Sequence, residues 1–224
     1  QIHANYYAYA DQDDIWEPEK LSRALEWFRT VEADTPALYC SRTLYVDEDN
    51  HKLGLSPLFT KPPSFANALV QNIVGGNTIV FNQAAKRLIC LAGPQTKVVT
   101  HDWWAYLVIS GCGGLIHYDA FPSVRYRQHR NNLIGGNSKN SRWFIRIKML
   151  INGYFIRWNA MHITALNAIK DHLTNDSQRR LHSFSMARRG GLIARWRAIR
   201  DSGVYRQTLL GNLGIIFAVL LKRL

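Results

Sequence analysis

The sequence contains no run of 18 apolar residues, which argues against a conventional membrane span. Cysteine is scarce. Cys40, Cys90 and Cys112 lie far apart and form no C-x-x-C pair. That disfavours a disulfide framework or a zinc site and fits a reducing, cytoplasmic setting. No secretory leader is expected from the first residues, and neither internal repeats nor low-complexity tracts are seen. Acidic residues nearly vanish from the rear. Residues 139–224 hold 16 Lys/Arg against 3 Asp/Glu, a net of +13, whereas residues 1–138 hold 12 against 13, a net of −1. Such one-sided basicity points to a polyanionic surface, either nucleic acid or anionic lipid. What remains is a globular profile: 224 residues, 47% apolar and 20% charged. That is enough for one sizeable α/β domain with an appendage and excludes a disordered or fibrous chain.

Along the chain, aromatic-rich Asn5–Ala10 predicts a buried strand. Pro18 suits the first turn of a helix whose apolar stripe is Leu21, Ala24, Leu25, Phe28 and Val31. Ala37–Cys40 and Thr43–Val46 predict two short strands, with Asp47–Asn50 as the turn after them. Residues 54–64, with three prolines, predict an irregular loop. Gly75-Gly76-Asn77 leads into a strand over Thr78–Phe81. Asn82 is expected to cap a helix over 83–91, and Thr100 one over 101–110 that Gly111 ends. Leu115–Tyr118 and Val124–Gln128 predict two more strands. Short strands alternating with helices indicate a layered α/β domain. After Gly136 the pattern turns helical over 142–173, then arginine-rich over 186–200. A terminal helix over 205–221, apolar nearly all round and followed by Lys222-Arg223, fits an interfacial helix on a membrane.

Three segments carry chemistry. Asp11, Asp13 and Asp14 follow a strand, where ligands of open α/β sheets bind. Carboxylates this close repel unless a cation compensates, and hard divalent ions take carboxylate oxygens and bridge to phosphates. The alternative is a solvated acidic turn. An EF-hand fails, because Trp16 and Ser22 stand where its sixth-position glycine and twelfth-position glutamate belong. In His101-Asp102-Trp103-Trp104, Asp102 falls in the first turn of a helix, where the free N–H groups favour a carboxylate. So placed, it can take a proton from a substrate hydroxyl, with Trp103 and Trp104 offering flat faces to sugar rings. The alternative is a helix-stabilising charge with both tryptophans in the core. In Tyr126-Arg127-Gln128-His129, Arg127 can neutralise phosphate and His129 can ligate a metal.

Taken in order, these segments resemble the family 2 glycosyltransferases, and within them the bacterial rhamnosyltransferase-like branch that builds surface polysaccharides. The resemblance rests on Tyr9-Ala10-Asp11-Gln12-Asp13-Asp14-Ile15-Trp16 with Pro18-Glu19-Lys20-Leu21. It continues through Gly75-Gly76-Asn77-Thr78 with Val80-Phe81-Asn82, then His101-Asp102-Trp103-Trp104, and Tyr126-Arg127-Gln128-His129 before Asn131-Asn132, covering roughly residues 5–137. It implies a GT-A, Rossmann-like, three-layer α/β domain over residues 1–137, lacking its first βαβ units. A basic helical region over 138–224 follows, for membrane association. It also implies that Asp11 and Asp13 are the D-x-D pair, completed by His129 around Mg²⁺ or Mn²⁺, and that Asp102 is the catalytic base. Gln12, Asp14, Trp16, Gly76, Asn77, His101, Trp103, Trp104, Arg127 and Gln128 would bind substrate. The expected partners are a nucleotide-diphosphate sugar donor, with rhamnose suggested by the family, a saccharide or lipid-linked acceptor, and the anionic inner face of the cell membrane. No specific nucleic acid is expected. A chain without the nucleotide-binding half would expose a sheet edge and is expected to aggregate. Two other classes stand beside this one: an inactive truncated remnant, and a basic membrane- or nucleic-acid-binding module supported by charge alone.

Overall fold

The computed structural model describes residues 3–128 and 152–224. A six-stranded mixed sheet forms its centre. The strands are β1 (Tyr6–Ala8), β2 (Ile15–Trp16), β3 (Ala37–Val46), β4 (Lys52–Leu55), β5 (Val80–Asn82) and β6 (Leu115–Arg127). The spatial order is β1-β5-β3-β6-β2, with β4 paired to β3 beyond β5. The β3–β6 pair is parallel and the others are antiparallel. The helices in the first part are α1 (Lys20–Phe28), α2 (Phe65–Ala68), α3 (Gln83–Ile89) and α4 (His101–Gly111). The second part holds α5 (Tyr154–Ala168), α6 (Asn175–Met186), α7 (Leu192–Ser202) and α8 (Leu209–Leu220). The α/β class expected from the sequence is the one observed.

Several boundaries differ from expectation for identifiable reasons. The two strand pairs expected at 37–46 and 115–128 are two long strands. Their register slips where Ser41 faces Asp119, Arg42 faces Pro122 and Thr43 faces Val124. The extra β6 residues form a bulge at a proline that has no N–H for a regular ladder. Gly76–Thr78 is a 3-10 turn, so β5 starts at Val80. The α1 stripe is rotated: Lys20, Ala24 and Phe28 are its buried positions, while Leu21 and Leu25 are exposed. The terminal helix starts at Leu209 because Thr208 caps it, its Oγ1 accepting from the Gly211 N–H at 3.1 Å. Tyr205, expected inside that helix, donates its hydroxyl to the Pro62 carbonyl and packs outside it.

One continuous core joins the sheet to the helical region. Leu38, Ile79, Phe81 and the α4 residues pack in the same cluster as Leu166 and Ile169, Phe184 of α6 and Val219 of α8. α4 is buried continuously from Trp103 to Ile109. Burial of this unbroken apolar run, at about 25 cal/mol per Å² of apolar surface, fixes α4 and therefore the position of its first turn.

Candidate active site

Three sequence-distant segments touch one after another, the first of them at the end of β6. The acidic turn, residues 11–14, sits between β1 and β2. Pairing of Ile15 with Arg125 and Trp16 with Val124 lays it beside the end of β6. There the Arg127 backbone N–H donates to Asp14 Oδ1 at 3.3 Å, and Arg127 Nε donates to the Asp13 carbonyl at 3.2 Å. The same guanidinium donates to the Glu48 carbonyl, so Arg127 ties the turn to the β3–β4 connection. A salt bridge from Arg125 to Glu17 at 2.6 Å fastens the same edge.

The second segment is the Gly75–Thr78 turn. The Asn77 side chain donates to Asp14 Oδ2. The Asn77 carbonyl accepts from Lys20 Nζ at 2.5 Å. Lys20 is wholly buried, and its ammonium lies 3.6 Å from the centroid of the half-buried Trp16 ring. Burial pulls the Lys20 ammonium down to about 8, against the opposing pull of Asp14 and Asp11. Burial also raises the Asp14 carboxyl above its ordinary range, assisted by the charges of Asp11 and Asp13 and opposed by the bonds from Asn77 and Arg127.

The third segment is the start of α4. Thr100 stands at the cap position but its side chain makes no capping bond. Asp102 supplies the acceptor instead: its Oδ1 accepts from the Trp103 N–H at 2.7 Å, and its Oδ2 accepts from Asn72 Nδ2 at 3.0 Å. The carboxylate is thus oriented by two donors. Gly76 lies directly against this turn. A Cβ there would stand 3.0 Å from His101 Nε2 and 3.6 Å from Asp102 Cβ, so a larger residue would press on the His101 ring. His101 is exposed, with its ring edge-on to Tyr9 at 4.8 Å. Burial, then the charges of Cys90 and Asp102, push the Tyr9 hydroxyl up.

Contacts therefore link Asp14 to Asn77, and the turn holding Asn77 to Asp102 and His101. Asp11 and Gln12 are exposed and Asp13 is half-buried in the same turn. Gln128 is half-buried, with its N–H on the Val46 carbonyl at 2.9 Å. His129 lies outside the described residues. Trp103 and Trp104 are a correction to the acceptor-side expectation. Both are buried, their indole N–H groups donating to the Ala68 carbonyl at 2.7 Å and the Ile89 carbonyl at 3.2 Å. They anchor α4 instead of offering faces to a sugar. Sequence reasoning missed Lys20, Asn72 and Tyr9. Lys20 and Tyr9 fall inside quoted motifs, and Asn72 stands just before the glycine pair.

Among the described residues, the group of three with ligand atoms close enough for one metal ion is Asp47, Asp49 and His51 in the β3–β4 turn. Asp11, Asp13 and Asp14 do not form such a set. A hard divalent cation nonetheless suits the carboxylate oxygens of Asp11 and Asp13.

No family model matches this chain, and no solved structure matches it. The chain is 25% identical over 177 residues to the dTDP-rhamnosyl transferase RfbG of Shigella flexneri. The match takes in 75% of this chain and 57% of that protein, so this chain spans little more than half the length of the relative. The likeness supports a glycosyltransferase family.

Proposed function

We propose that this chain carries the catalytic and acceptor-side part of a metal-dependent, inverting, GT-A-type glycosyltransferase of family 2. In this reading residues 1–137 belong to the transferase domain and residues 138–224 form a basic helical region. The observation that carries it is the meeting of Asp102, oriented by Asn72 and its own helix start, with the Gly76–Asn77 turn that grips Asp14. The likeness to a rhamnosyltransferase gives it a reaction class.

In the proposed step an acceptor hydroxyl gives its proton to Asp102 as its oxygen bonds to the anomeric carbon. The bond from that carbon to the diphosphate oxygen breaks on the opposite face, and its electron pair leaves with the nucleoside diphosphate. Asn72 keeps the carboxylate aimed. Lys20 fixes the Asn77 carbonyl, so the turn beside the donor sugar does not shift as charge moves. Asp11, Asp13 and His129 would hold Mg²⁺ or Mn²⁺, which when bound neutralises the charge developing on the leaving diphosphate. The donor is a nucleotide-diphosphate sugar, with rhamnose as the proposed sugar. The acceptor is a saccharide, free or lipid-linked, in surface polysaccharide synthesis on the cytoplasmic side.

The test is release of nucleoside diphosphate by the complete enzyme with acceptor present, with and without divalent cation. Asp102→Asn should lower kcat by about 10²–10⁴ while leaving the melting temperature in place. Turnover that survives this substitution would remove Asp102 from the role of base.

A further inference from the structure

Outside this site, the last two helices present an apolar surface of a specific kind. On α8, Leu210, Leu213, Phe217 and Leu220 recur at helical spacing on one face, Leu221 at its C-terminal cap continues that face, and all are exposed. Leu209, at the start of the helix, is 83% exposed and Leu210 74%. The opposite face, Ile215, Ala218 and Val219, is buried in the protein. Arg195, itself buried in α7, donates Nη1 to the Val219 carbonyl and holds that inner face in place. The outward apolar face therefore cannot be satisfied by rolling the helix over. α7 adds exposed Leu192, Ile193 and Trp196. Exposed Arg189, Arg197, Arg200, Lys222 and Arg223 flank these side chains, and Asp201 is the acidic residue between Arg189 and the end of the chain. No helix among the described residues is long and apolar enough to cross a membrane.

We propose that the outward face of α8, together with Leu192, Ile193 and Trp196 of α7, lies in the interface of an anionic lipid bilayer, with the flanking arginines and lysine on the headgroups. Charge selects this occupant. A second copy would bring one basic rim against another, which like charges oppose. A bilayer with acidic headgroups satisfies the leucines and the cations at once. Trp196 suits the headgroup boundary, where one side of the ring is apolar and the other wet. The inference does not depend on the transfer reaction, because lipid binding is measured without donor or acceptor.

The full chain is mixed at low salt with phosphatidylcholine vesicles containing phosphatidylglycerol, and separately with pure phosphatidylcholine vesicles, then sedimented. Retention on the anionic vesicles about tenfold above that on the neutral ones is expected. The double variant Leu213→Glu, Phe217→Glu alters only exposed positions, so its circular dichroism melt should match the parent. Its retention on the anionic vesicles should fall about tenfold. Equal retention of parent and variant overturns the proposal. So does a vesicle-free dimer that the variant converts to monomer, which would make the occupant a second copy. Salt-sensitive binding to duplex DNA without vesicle binding overturns it in favour of nucleic acid.

Discussion

His162, on α5, is 1% exposed, and neither of its ring nitrogens has a hydrogen-bond partner. Its ring meets the Trp103 ring edge-on at 4.6 Å, one residue from Asp102. Burial pushes the imidazole down from 6.5 to about 4. Between those values the unfolded chain binds a proton that the folded chain refuses. The His162 contribution is therefore constant above pH 6.5, declines as pH drops through the window, and levels off below about pH 4 with its full cost incurred. At about 1.4 kcal/mol per pH unit the whole window is worth about 3 kcal/mol, and about 2 kcal/mol is gone by pH 5. The perturbation is His162→Leu, read by urea unfolding of parent and variant at pH 7.5 and pH 5. Carboxylates that titrate in both proteins cancel in the difference. The variant should gain about 2 kcal/mol on the parent between the two pH values. At pH 7.5 it should be near neutral, because the unpaired nitrogens it removes offset the lost contact with Trp103. Parallel pH dependence in the two proteins would refute the reasoning. The acid-sensitive contact joins the helical region to the helix that begins with the proposed base, so activity of the complete enzyme should fall in the same window.

Three further outcomes follow from the packing. Lys20→Met removes a buried ammonium from the Asn77 carbonyl and from the neighbourhood of Asp14, and should cost about 2 kcal/mol in denaturant midpoint, with an unchanged midpoint counting against the role given to Lys20. Gly114→Ala would put a Cβ 2.6 Å from the Pro36 carbonyl oxygen and 2.7 Å from Ile109 Cγ2, and should destabilise by at least about 2 kcal/mol in calorimetry. Gly214→Ala has the opposite sign: no atom lies within 4 Å of the added Cβ in mid-α8, so helix propensity should stabilise by up to about 1 kcal/mol.

The parts of the site legible in the sequence are those whose chemistry is local. An acidic run after a strand, a glycine pair before one and a carboxylate at a helix start each announce themselves within a few residues, and the fold brings the three together. What escaped depends on tertiary partners. A helical-period reading treats Lys20 as polar and turns Leu21 and Leu25 inward. The observed rotation is set by a cation whose partners are the Asn77 carbonyl, 57 residues away in sequence, and the Trp16 ring. Asn72 was opaque for the same reason, since its side chain matters only because Asp102 lies 30 residues on. The tryptophans carried a readable warning: Trp103 to Ile109 is seven residues without a polar break, longer than one face of a helix allows, so this helix had to be enclosed. Enclosure also serves the role proposed for Asp102. A first turn anchored by the buried Trp103–Ile109 run is held in place, and a proton acceptor is effective only when its distance to the acceptor hydroxyl is fixed. The core that encloses the two tryptophans therefore supplies the rigidity that the proposed base requires.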